Sequence, residues 1–223
     1  MNVQWSYSGL KTFQQCPKKY YHLKVAKDIV DQGGEAANYG KLVHKAAEDY
    51  IRDGVEIPEK FAYMRPILKA FNNIKGEKHC ELEMGIAIRN GEFVACAFDA
   101  PDYWWHGIAD LVIIDGSRAY LADYKTSKNA KYADTKQLDL LAAGVFLRFP
   151  EVKEIKSALA FVVSNEFIKK EHVRLMQDKY LHVMKPELDR LEAALSNQVW
   201  NPISGALCGF CPVDTCVHHR KKR

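Results

Sequence analysis

Gly107-Ile108-Ala109-Asp110-Leu111-Val112-Ile113-Ile114-Asp115-Gly116-Ser117-Arg118-Ala119-Tyr120-Leu121-Ala122-Asp123-Tyr124-Lys125 is the stretch that decides the fold. Two apolar runs flank Asp115-Gly116, and an Asp-Gly step between such runs predicts a β-hairpin. On the second strand Asp123 and Lys125 are two residues apart, so their side chains leave the same face. The hairpin brings Asp110 alongside them. Two carboxylates beside an ammonium at a strand end repel each other unless a cation offsets them. Oxygen ligands suit magnesium or manganese. Asp110 and Asp123 are therefore candidate metal ligands, with the Tyr124 carbonyl as a backbone ligand. A metal held there lowers the pKa of a water and neutralises charge on a phosphoryl oxygen. Lys125 would orient or deprotonate that water, or stabilise the transition state electrostatically. A second Asp-x-Lys triplet, Asp134-Thr135-Lys136, falls at an expected helix start, where Asp serves as an N-cap.

Working outward, helical spacing of apolar residues predicts helices over 36–52 and from Pro58 to Phe71. Strands are expected over 81–88, 105–114 and 119–125, then a helix from about Tyr132 to Phe149. A buried strand over 155–163 follows, and then a long helix over 171–197, bent at Pro186. Helix, three strands, helix and strand in that order fit an α/β sandwich with a mixed sheet. His44 lies on the 36–52 helix, and a neutral imidazole is a suitable metal ligand. Glu81 and Glu83 are expected on one face of the first strand, and either could add a carboxylate. Gln137, at the start of the next helix, could touch the phosphate or the water.

The 223 residues predict a single domain, with a core over about 36–165 and end segments over about 6–24 and 200–219. Apolar residues at 48% and charged ones at 27% argue against disorder. The longest apolar runs, such as 158–163, are too short to cross a bilayer. The first residues lack a basic flank and an apolar signal core. The expectation is a soluble cytoplasmic protein with no membrane partner. A net charge of +4 is compatible with nucleic acid. Lys18, Lys19, Lys24 and Lys27 beside Tyr20 and Tyr21, and Lys128, Lys131 and Lys136, could track a phosphate backbone. Trp104 and Trp105 would stack a base or fill the core. Nothing resembles a base-reading helix, so sequence specificity is not expected. Of six cysteines, Cys80 and Cys96 lie singly in apolar surroundings. Cys208, Cys211 and Cys216 cluster, and Cys16 is the candidate fourth ligand. Four thiolates suit an iron–sulfur cluster or zinc, for which His218 and His219 are spare ligands.

Taken in order, His44, Gly107-x-x-Asp110, Asp123-x-Lys125 and Gln137 resemble the RecB-like branch of the PD-(D/E)XK nuclease superfamily. The opening from Ser6 through Cys16-Pro17 to Tyr20 is similar to the first segment of members that carry an iron–sulfur cluster, among them AddB nuclease domains and CRISPR-associated RecB-like exonucleases. The resemblance spans Ser6 to Cys216. It implies a restriction-endonuclease-like α/β core with a mixed central sheet flanked by helices, its two ends joined by a metal cluster on four cysteines. It implies metal-dependent DNA cleavage, commonly exonucleolytic. Asp110 and Asp123 match the metal carboxylates, Lys125 the catalytic lysine, His44 the helical ligand and Gln137 the motif glutamine. Glu81 is similar to an extra strand glutamate of phage-encoded members, with Glu83 as its competitor. The resemblance favours a 4Fe-4S cluster over zinc at Cys16, Cys208, Cys211 and Cys216. One departure is Leu141, where the family often has a tyrosine. The chain has no Walker A loop, and a stand-alone enzyme similar to phage recombination exonucleases is expected, in the host cytoplasm if phage-encoded, with a recombination protein as a partner. Structure-specific endonuclease activity, or a catalytically silent DNA-binding module of the same fold, are the competing readings.

Overall fold

The computed structural model describes residues 3–128, 130, 131 and 133–220. In chain order the elements are β1 (Trp5–Ser6), α1 (Tyr7–Gln15), α2 (Pro17–Tyr20), α3 (Glu35–Asp53), α4 (Arg65–Asn72), β2 (Glu77–Arg89), β3 (Glu92–Cys96), β4 (Tyr103–Asp115), β5 (Arg118–Lys125), α5 (Lys136–Arg148), β6 (Glu154–Phe161), β7 (Glu166–Val173), α6 (Gln177–Leu181) and α7 (Lys185–Asn197). They fall into two compact units, one of residues 34–183 and one of residues 1–33 with 184–223. No helix among the described residues is long and apolar enough to cross a membrane.

The larger unit is built on a mixed sheet of order β3-β2-β4-β5-β6-β7. The β4–β5 hairpin forms as expected, Asp115 pairing with Arg118 around Gly116, whose φ of +60° suits glycine. Strand β5 pairs in parallel with β6, which requires a crossover, and α5 supplies it. The other neighbouring pairs within this order are antiparallel. Helices α3 and α4 bury Val43, Ala47, Ile67 and Leu68 against Leu111, Ile113, Ala122 and Tyr124 of the hairpin. Helix α5 is buried along its whole middle, from Leu138 to Phe146, as expected of a helix apolar all round. Leu141 is one of these core residues, 2% exposed.

Two glycines explain how α5 approaches the sheet. A Cβ on Gly107 would meet the Trp105 ring at 2.5 Å, and one on Gly144 would come within 3.3 Å of the same ring. Trp105 fills the space that both leave. It is 1% exposed and Trp104 is 8% exposed, so both belong to the interior and neither is a base-stacking platform.

Three features depart from expectation. The helix expected from residue 171 begins later, because residues 166–173 form β7 on the edge of the sheet. Phe167 and Val173 lie on its exposed face while Lys170 and His172 lie on its more buried one, so it lacks the apolar-in, polar-out alternation that marks a half-buried strand. A 3-10 turn and the short α6 then precede α7, which carries Pro186 in its first turn. Strand β3 was not expected, and it pairs with β2 through the turn at Asn90-Gly91. Helix α5 begins at Lys136, and Tyr132 lies outside the described residues.

In the smaller unit, Ser6 caps α1 by accepting the Gly9 N–H at 3.2 Å. Cys16 ends α1 in extended conformation, and Pro17 opens α2 at the position where a missing N–H is harmless. Trp200 stacks on Tyr20 at 6.2 Å between ring centroids and meets Phe13 edge-on at 6.4 Å. These aromatic contacts tie the first segment of the chain to the last.

Candidate active site and thiol cavity

The site in the larger unit grows from a fault in the β2–β4 ladder. Cys80 pairs with Leu111 and Leu82 with Ala109, but Glu81 and Asp110 between them do not pair. Glu81 has φ +50°, a left-handed conformation that costs a non-glycine residue roughly 1–2 kcal/mol. The twist turns the strand over. Cys80 packs towards the α3–α4 core, whereas Met84, which a regular strand would put on the same face, packs beside Gly144 of α5. Glu81 and Glu83 line one groove, but only Glu81 reaches the ligand group. Glu81 joins His44 and Asp110, and Glu83 is exposed.

His44 on α3, Glu81 on β2 and Asp110 on β4 each offer one ligand atom, all within 4.8 Å of one another. His44 Nδ1 lies 3.2 Å from Asp110 Oδ1, and its ring meets Tyr124 edge-on at 6.0 Å. The other oxygen of Asp110 accepts the backbone N–H of Tyr124 at 2.5 Å. The carboxylate thus takes over where the β4–β5 ladder stops at Leu111–Ala122.

Asp123 stands beside this group in a second set. Its Oδ1 accepts from Gln137 Nε2 at 2.7 Å, and its Oδ2 lies 2.5 Å from Lys125 Nζ. Lys125 in turn donates to Gln137 Oε1 at 3.0 Å. The amide of Gln137 bridges acid and base, holding both at the head of α5.

The electrostatics match a site short of positive charge. Burial, reinforced by Asp110, pushes Glu81 up to about 7. Burial and Asp110 also push Asp123 upward, against the pull of Lys125. Burial opposes protonation of His44, but the hydrogen bond to Asp110 and the charges of Asp110, Asp123 and Glu81 outweigh it and raise its pKa. A divalent cation relieves all three shifts at once, so the donor set fits one.

In the smaller unit, Cys16, Cys208, Cys211 and Cys216 line one cavity of about 370 Å³. The four come from the α1–α2 junction and the last 16 residues of the chain, a grouping set up by the Trp200 contacts. The Gly205 N–H donates to Cys208 Sγ at 3.3 Å. Cys80 and Cys96 lie elsewhere, and burial raises both thiols. Of the expected phosphate-tracking lysines, Lys18 and Lys19 are half-buried in the smaller unit, Lys19 paired with Asp31 at 3.4 Å. Lys128 and Lys131 are exposed in the larger one.

Sequence reasoning missed one buried network. Asp139 on α5, 3% exposed, accepts from His172 Nε2 at 2.9 Å and from Lys170 Nζ at 2.7 Å, both on β7. The only signal was an acid inside an apolar helical run, two residues beyond Gln137.

The family model described as the PD-(D/E)XK nuclease superfamily matches residues 4–216. Among curated proteins nothing matches. Among solved structures, a candidate exonuclease from Eubacterium rectale is 15% identical with a TM-score of 0.50, covering 98% of this chain and 88% of its own. The crystal structure of SSO0001 is 14% identical with a TM-score of 0.49, covering 99% of this chain and 89% of its own.

Proposed function

The chain belongs to the PD-(D/E)XK nuclease superfamily, whose members hydrolyse nucleic acids with divalent metals, and from that premise we propose that it is a magnesium- or manganese-dependent DNA exonuclease. The observation that carries the reading is the convergence of His44, Glu81 and Asp110 beside the Asp123–Lys125–Gln137 set. Those first three residues would hold the metal, with Asp123 and the Tyr124 carbonyl completing its ligands. When bound, the cation supplies Lewis acidity at a phosphoryl oxygen and activates water. Lys125 stands ready to orient that water or to stabilise charge in the transition state, and Gln137 keeps its ammonium beside Asp123. Lys18, Lys19, Lys128 and Lys131 would hold the DNA backbone without reading sequence.

We assign the RecB-like branch on the order of these motifs, and DNA processing or recombination of the kind phages carry out as the setting. The thiol cavity would hold a 4Fe-4S cluster, zinc being the competitor. Support comes from four thiols lining one cavity, with a backbone donor already directed at one sulfur. Such a group would staple the two ends of the chain together.

The test uses anaerobically purified protein with linear and closed circular DNA, each single- and double-stranded, with manganese or a chelator. Metal-dependent loss of linear strands with circles spared is the expected result. Cutting of circles would make it an endonuclease with the same site. Binding without cutting would replace the enzyme by a silent module.

A further inference from the structure

His219 has no part in the nuclease reading, yet it lines the thiol cavity, whereas its neighbour His218 does not. Among the described residues lining that cavity, it alone carries a buried side-chain nitrogen or oxygen with no hydrogen-bond partner, its Nδ1. A buried polar atom left unpaired costs about 1–3 kcal/mol, so it calls for a partner. The backbone holds the ring in place: the His219 N–H donates to the Cys216 carbonyl at 2.8 Å, and the Cys216 N–H to the Val213 carbonyl at 3.3 Å.

We propose that His219 donates a hydrogen bond from Nδ1 to a sulfur of the metal group held by the four cysteines. The inference rests on the thiol-site reading above. With metal bound, four thiolates lining a cavity with Ile203, Leu207 and Val213 would carry excess negative charge, which is costly unless donors surround it. The Gly205 N–H already serves Cys208, and Lys19 at the cavity wall is engaged by Asp31. The imidazole supplies a further donor. Four thiols complete a four-coordinate site, so the ring is left to act on sulfur and not as a ligand. Hydrogen bonds to sulfur help set the reduction potential of iron–sulfur groups, because they stabilise the more negative reduced form.

The test compares the anaerobically purified full chain with His219→Phe, which keeps a ring without a donor, and His219→Asn, whose amide keeps a donor near Nδ1. His219→Leu is a second donorless variant should the phenyl ring prevent folding. Iron, sulfide and zinc contents identify the group, and the rate of metal loss to a chelator reads its hold in either case. The donorless variant is expected to lose metal about tenfold faster, while His219→Asn stays near the parent. In an iron–sulfur form the midpoint potential should also fall, a tenfold change reading as about 59 mV for a one-electron couple. Metal bound and lost at the same rate in all forms would overturn the role of His219 alone. A chain that takes up neither iron nor zinc would overturn the thiol site and this inference together.

Discussion

Replacing Glu81 by glutamine should stabilise the metal-free protein while destroying its response to metal. Glu81 titrates at about 7 in the fold against 4.5 in the open chain, through burial first and Asp110 second. A carboxyl raised by that amount contributes stability that is complete below pH 4.5 and is lost as pH rises through 7. The full shift would be worth about 3 kcal/mol, and solvent screening of a half-buried carboxyl lowers the loss at pH 8 to roughly 1–2 kcal/mol. Glutamine has the same shape and never ionises, so Glu81→Gln should recover that amount at pH 8 and almost none at pH 4.5. A chain of this length gains roughly 2–4 °C in Tm per kcal/mol. Thermal unfolding of chelator-treated protein across pH 4.5–8 measures the difference. Manganese should then raise the Tm of the parent, since a ligand at 100 times its Kd adds about 2.7 kcal/mol, and should leave the variant nearly unmoved. The reasoning is refuted if Glu81→Gln is no more stable than the parent at pH 8, or if its gain is the same at every pH.

Asp123→Ala and Lys125→Ala should each abolish DNA cleavage with folding and DNA binding retained; nuclease assays and binding measurements together check this, and activity in both would remove the site. Gln137→Ala frees Lys125 and Asp123 from their shared amide, so cleavage should fall at saturating DNA with little change in binding. Asp139→Ala leaves His172 and Lys170 facing an empty space, which should cost about 3–5 kcal/mol in urea unfolding. Burial raises the Asp139 carboxyl, but hydrogen bonds from His172 and Lys170 outweigh it and hold it below its ordinary value. Its contribution is therefore present above the unfolded value and disappears as pH falls through the folded one, so acid titration of the parent should show a loss that Asp139→Asn lacks.

What could be read from the sequence was local. The hairpin follows from two apolar runs and an Asp-Gly turn, and the shared face of Asp123 and Lys125 follows from the period of a regular strand. The same reasoning failed for β7, whose sole fully buried residue is His172. There Phe167 and Val173 face outward while Lys170 and His172 face inward, and no period survives to be read. The buried partner of that histidine, Asp139, lies 33 residues away, beyond the reach of any local pattern.

The choice between Glu81 and Glu83 was illegible for a deeper reason. Alternation treats every strand residue as equivalent, whereas the site depends on one residue that is not. With ordinary extended geometry at Glu81, that residue would be free to pair opposite Asp110, and the carboxylate would follow the alternation of its neighbours. The positive φ interrupts the ladder at the level of Asp110 and turns Glu81 towards His44. Strain of this kind persists only where the surrounding structure enforces it. Here ten paired positions along β2 and β4 do so. The long pairing of β2 with β4, shifted in register only between Ile86 and Ala87, is thus what holds in place the one conformation that alternation does not show.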